Sequence, residues 1–166
     1  PDNCCDSYFL HHTYLEWAYL HLGLQTFSEK EIGSIVKRAT KYRESCIEAE
    51  EKGERPQVMC PLNENGNCII YKYRLLVCRT HGVPATMTRP DGQQLAFPGC
   101  FRCQEKIKKK YIHQSEAPHV ERTPFLQQLA LLENKLLNDK RHLYPRVKLT
   151  IADMILAGPP SINNKE

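Results

Sequence analysis

Residues 60–82 read CPLNENGNCIIYKYRLLVCRTHG, and three cysteines punctuate them: Cys60, Cys68 and Cys78. Seven residues separate the first two and nine the second two. The turn signal Glu64-Asn65-Gly66-Asn67 falls in the first gap, and an apolar, tyrosine-rich run in the second. Working outward, turn signals recur at Arg89-Pro90-Asp91-Gly92 and Pro98-Gly99, and helical periodicity is missing from residue 56 to residue 103. Ala85-Thr86-Met87-Thr88 and Gln94-Leu95-Ala96-Phe97 flank the middle turn, which predicts a short β-hairpin. Five of the eight cysteines lie in this loop-rich stretch. Irregular backbone in a compact domain needs something besides apolar burial to fix it. A bound metal supplies that, because its binding free energy is also folding free energy.

Helical signals lie on either side. Thr13-Tyr14-Leu15-Glu16 and Ser28-Glu29-Lys30-Glu31 each read as a capping box, a hydroxyl with a Glu three residues on. After the second box Ile32, Ile35, Val36, Ala39, Arg43, Cys46 and Ile47 recur at helical spacing, predicting a helix to about Glu51 with Gly53 just past its end. Cys46 on that stripe reads as a small buried hydrophobe rather than a ligand. Residues 106–110 read as a solvated helix face. Thr123-Pro124 predicts a further helix with Thr as N-cap and Pro at N1, whose stripe of Phe125, Leu129, Leu132 and Leu136 should pack on the earlier helix. A short alternation of Val147, Leu149 and Ile151 leads into a last apolar segment stopped by Gly158-Pro159-Pro160. The expected fold is mainly α with a small irregular β-hairpin, a loop-rich metal-binding module of α+β class in a single domain over residues 1–166. Residues 1–55 carry an N-terminal Cys pair and helices, 56–105 the Cys-rich module, and 106–166 a C-terminal helical segment.

The 166 residues suit one domain with a real core. No apolar run approaches the roughly 18–20 residues that span a bilayer, so no membrane partner is expected. A net charge of +4 is too mild to argue for nucleic acid. Eight cysteines mean either four disulfides or a set of ligands. Disulfide scaffolds are short and poor in helix; this chain has long helical segments, which favours metal.

Thiolates bind zinc and iron–sulfur clusters above all, commonly four to a site. Cys60, Cys68 and Cys78 supply three, and Cys4-Cys5 and Cys100-Phe101-Arg102-Cys103 are the available complements. Side chains of adjacent cysteines diverge along extended backbone, so one of Cys4 and Cys5 is expected to complete the site. Cys100 and Cys103 have the spacing in which two thiolates face one ion, and the preceding hairpin can fold them back towards the other three. The expected metal residues are thus Cys4, Cys5, Cys60, Cys68, Cys78, Cys100 and Cys103. His81, His11 and His12 are lesser ligand candidates. Arg74 and Arg79 could offset the charge of several thiolates or equally form structural ion pairs, while Tyr71 and Tyr73 read as packing residues. Asp6 and Glu16 are weak candidates for outer acceptors. Three functions compete: a structural or redox-sensing metal module, a metal-dependent enzyme, and a zinc-ribbon-like interaction module with a protein partner. An all-thiolate ion is a poor Lewis acid and no His–Glu arrangement stands out, which disfavours the enzyme.

These residues carry a resemblance. Cys4-Cys5, then Cys60-Pro61-Leu62, Cys68-Ile69-Ile70-Tyr71, Arg74 and Cys78-Arg79 are similar to the pattern of the bacterial YkgJ-type cysteine-cluster family, a zinc- or iron-chelating domain. The likeness covers about residues 1–103 and rests mainly on residues 60–79; Cys100 or Cys103 matches a later family cysteine less closely. The family usually has a further Cys shortly before the adjacent pair, and this chain shows none there. The resemblance implies a bacterial, cytoplasmic protein that binds zinc or an iron–sulfur cluster. Some larger proteins with this domain are linked to lysine methylation, which implies, as an alternative, an accessory role in protein modification.

Overall fold

The computed structural model describes residue 6 and residues 8–113 and 116–162. Both capping boxes form. Thr13 and Ser28 stand in extended backbone, and each side chain accepts from the N3 amide while the N3 Glu reaches back, opening α1 (Tyr14–Leu24) and α2 (Glu29–Glu51). The chain leaves α2 through Gly53 at φ 71°. Only Ile35, Ala39, Tyr42 and Cys46 of α2 are buried, a stripe narrower than the sequence pattern. Val36 and Ile47 are exposed, since the opposing surface is the single short helix α6 (Ile151–Ala157). A third capping box, Thr150 with Asp153, starts α6, and Trp17 Nε1 and His21 Nε2 donate to the Met154 carbonyl within it. Leu20, Ile35, Leu62, Leu75, Leu137 and Met154 are the fully buried centre of the core.

The strands are small and local. β1 (His11–His12) pairs antiparallel with β7 (Val147–Lys148). β2 (Asn63–Glu64) and β3 (Asn67–Cys68) form a hairpin about Asn65 and Gly66, both at positive φ as a type I′ turn requires. β4 (Ala85–Thr88) and β5 (Gln94–Phe97) form the expected hairpin, and β6 (Val120–Glu121) adds in parallel to β4. The architecture is mainly α with small β parts. Among the described residues no helix is long and apolar enough to cross a membrane.

Between β3 and β4, the 3-10 turn Tyr71–Tyr73 precedes α3 (Leu76–Thr80). The Tyr73 ring lies against Gly23 of α1 so closely that a Cβ there would stand 2.7 Å from Tyr73 Cγ. Two buried carboxylates fasten distant segments. Glu16 accepts from Thr13 N and Oγ1 through one oxygen and from Leu76 N, at the start of α3, through the other. Glu133 accepts from Tyr14 N at 2.7 Å and from Arg141 Nε at 2.9 Å.

Glu133 belongs to α5 (Thr123–Leu136), which corrects two expectations. The helix begins at Thr123 itself, with Arg122 before it as cap, because the Thr123 hydroxyl is engaged by Thr88 N–H and by Glu121. Its apolar stripe does not dock on α2: Phe125 is 53% and Leu132 51% exposed. The buried stripe of α2 is covered by α6, and α5 joins the core against α1 through Glu133 and the following Leu137. The remaining helix, α4 (Phe101–Lys110), buries no residue, in keeping with a solvated lysine face.

Candidate metal centre

Cys60, Cys68 and Cys78 arrive from three kinds of backbone and line one cavity of about 70 Å³. Cys60 precedes the tight turn into β2, where its carbonyl accepts from Asn63 N. Arg38 of α2 pins that turn by donating from Nε to the Pro61 carbonyl at 2.7 Å and pairing with Glu64. Cys68 sits on β3 directly across from Asn63. Cys78 lies in the first turn of α3, whose opening amide is held by Glu16. Leu62, Ile70, Leu75 and Ile151 close the floor with apolar surface.

The polar groups on its wall are specific. Arg74 lines the cavity, stacks its guanidinium 4.1 Å from the Tyr71 ring centroid, and buries an Nε with no hydrogen-bond partner among the described residues. A buried donor without a partner is costly, and a thiolate sulfur is the acceptor chemistry that would satisfy it. Arg79 is used otherwise: Nε and Nη2 donate to the Arg74 and Lys72 carbonyls and tie α3 to the 3-10 turn. Tyr73 is the packing residue expected, whereas Tyr71 is exposed beneath Arg74. His81 also lines the cavity, edge-on to Phe9 at 5.0 Å. Burial first, then the nearby Arg122, pushes His81 below the usual histidine range despite Asp6, so its ring is neutral at pH 7. A neutral ring is the form that ligates metal.

Tyr42, which the sequence reading passed over, completes the wall. Its hydroxyl donates to Cys46, and burial, Cys46 and Cys60 together raise its pKa far above the ordinary. The only signal for it was phase, since Tyr42 falls between Ala39 and Cys46 on the buried stripe of α2. Cys46 itself is buried as expected, with its thiol pushed up by desolvation.

Other predicted residues stand elsewhere. Cys100 and Cys103 line a neighbouring cavity of about 220 Å³ with Arg102, Lys106 and Lys110. His81, which lines the first cavity, accepts from Cys100 N through its carbonyl at 2.8 Å and so links the two cysteine sets through the backbone. His12 is buried with neither ring nitrogen bonded among the described residues, and His11 is exposed on the same strand. Glu16 serves as a structural acceptor. Cys4 and Cys5 lie outside the described residues. No disulfide joins any two of the six described cysteines. Among the described residues no three His, Cys, Asp or Glu side chains are gathered closely enough to hold a metal ion by themselves. The donor set nonetheless fits a soft metal in kind, with three sulfurs, a neutral imidazole and the unsatisfied Nε of Arg74 on one cavity. No protein-family model matches the chain, and no curated protein or solved structure is significantly similar to it.

Proposed function

We propose that the protein binds zinc or an iron–sulfur cluster through Cys60, Cys68 and Cys78, with the Cys4-Cys5 pair completing the thiolate set. The carrying observation is that cysteines from a turn, a hairpin strand and a helix line one small cavity whose wall contains the buried, partnerless Nε of Arg74. The likeness of residues 60–79 to the YkgJ-type family agrees with it. Several thiolates concentrate negative charge, and Arg74 offsets it while donating to sulfur. When bound, the group supplies cross-linking of the loop-rich segment or, as a cluster, one-electron chemistry. The role is therefore structural or redox-sensing, and a reducing cytoplasm would keep the proposed thiolate set available to the metal.

Anaerobic purification, elemental analysis and a visible absorption spectrum test this. The expected result is a stoichiometric metal content that falls in each of Cys60→Ser, Cys68→Ser and Cys78→Ser. Absence of metal after anaerobic reconstitution, or full retention in all three variants, overturns it.

A further inference from the structure

The second cavity holds a different arrangement of sulfur. Cys100 is the N-cap of α4, in extended backbone at φ −70° and ψ 162°, and Cys103 is its N3 residue. The two side chains therefore start three positions apart at the head of the helix and line one cavity together, and no capping hydrogen bond ties the Cys100 side chain down. Burial first, then the Cys100 sulfur, raises Cys103, while Lys106 opposes both. Gly99, at φ 81°, fixes the approach, since a Cβ there would stand 2.9 Å from the Val83 carbonyl carbon. Cys100 is 8% exposed and Cys103 is only half-buried, so one thiol is reachable and the other waits behind it. Arg102, Lys106 and Lys110 line the same cavity, and among the described residues no carboxylate does.

We propose that Cys100 and Cys103 form a redox-active dithiol that exchanges with an anionic low-molecular-weight disulfide drawn in by Arg102, Lys106 and Lys110. Cys103 attacks one sulfur of the incoming disulfide through its thiolate, a minority form at neutral pH because burial raises the thiol, so the exchange quickens as pH rises. That S–S bond breaks, a mixed disulfide forms at Cys103, and one small thiolate leaves. The Cys100 thiolate then attacks the Cys103 sulfur and expels the second small thiolate. Two electrons pass from the protein pair to the small disulfide, and the two cysteine protons pass to the departing thiolates. The Cβ separation across three helical positions, about 5–6 Å, closes to the roughly 3.5–4.5 Å of a disulfide by a small movement of the non-helical Cys100. This reading does not depend on the metal centre, which uses other sulfurs.

The test treats the full metal-loaded chain with oxidised glutathione, which is anionic, and separately with cystamine, which is cationic, then alkylates and maps the peptides by mass. The expected product joins Cys100 to Cys103 with metal content unchanged, and Cys100→Ser stops at a glutathione adduct on Cys103. Replacing Lys106 and Lys110 by Glu is expected to slow glutathione about tenfold and leave cystamine as fast or faster, an effect that fades in high salt. Two still-alkylatable thiols in the wild-type chain, a disulfide from either residue to Cys60, Cys68 or Cys78, or metal loss in Cys103→Ser overturns the proposal. The last outcome makes the pair metal ligands and leaves the metal reading standing; metal absent from the untreated protein sinks that reading alone.

Discussion

Glu16→Gln measures how firmly the frame grips the cysteine-bearing segment. Glu16 is 7% exposed and receives three donors, the Thr13 amide and hydroxyl on Oε2 and the Leu76 amide on Oε1. Its charge also stands at the start of both α1 and α3. A glutamine of the same shape has one accepting oxygen, so one backbone N–H must face an NH₂ group. That orphan costs about 1–3 kcal/mol, and the surviving bond loses its charge assistance, about 1 kcal/mol more. A neutral amide is easier to bury, which returns about 1 kcal/mol. The net loss is therefore about 2 kcal/mol, or roughly 4–8 °C in Tm for a chain of this length. Urea unfolding of Glu16→Gln beside the exposed control Glu48→Gln measures it. A loss under about 0.5 kcal/mol would show that Glu16 does not couple α1 to α3.

Other expectations follow the same physics. Glu133→Gln leaves one amide oxygen to serve either Tyr14 N or the partly exposed Arg141, not both, and is expected to cost about 2–3 kcal/mol by denaturant titration. Cys46→Ala loses a small buried side chain and the acceptor of the Tyr42 hydroxyl, about 1–2 kcal/mol in all, while metal content stays unchanged; Cys46→Ser should recover part of the loss. Leu132→Gln on the exposed face of α5 should change stability by no more than about 0.5 kcal/mol, against the several expected of a core leucine. Burial holds His12 below the usual histidine range against the pull of Glu16, so the unfolded chain takes up the proton first. Stability from this site is then complete above about pH 6.5 and lost as pH falls towards the lowered folded value. His12→Phe should flatten the measured dependence of stability on pH below that point.

What the sequence disclosed was what neighbouring residues decide. The Thr13 and Ser28 boxes, the Gly53 exit and the hairpins at residues 64–67 and 85–97 form as read, because each closes within a few residues of its own signal. The stripe of α5 was equally plain in the sequence, yet periodicity names a face without naming what covers it. The choice between α5 and α6 for the surface of α2 is a matter of tertiary competition. Glu16 and Glu133 escaped notice as fasteners because their partners are 60 and 119 residues away. Among the cysteines, the three spaced along residues 60–78 share a cavity, while Cys100 and Cys103 line the next one. The intervening β4–β5 hairpin and the Gly99 turn set that offset, and neither distance is written in the spacing.

The contact of Gly23 with Tyr73 bears on how this protein can diverge. Gly23 carries no Cβ because the ring already fills the place, and the ring in turn packs beside Tyr19 at 5.2 Å. Neither position can drift alone: enlarging residue 23 evicts the ring, and shrinking residue 73 opens a void against α1. Descendants of this chain should therefore inherit the two residues as a pair, or exchange them together for a larger residue at 23 with a smaller one at 73. Such a paired exchange would show that the cysteine-bearing segment still rests on the same helix after the surrounding sequence has become unrecognisable.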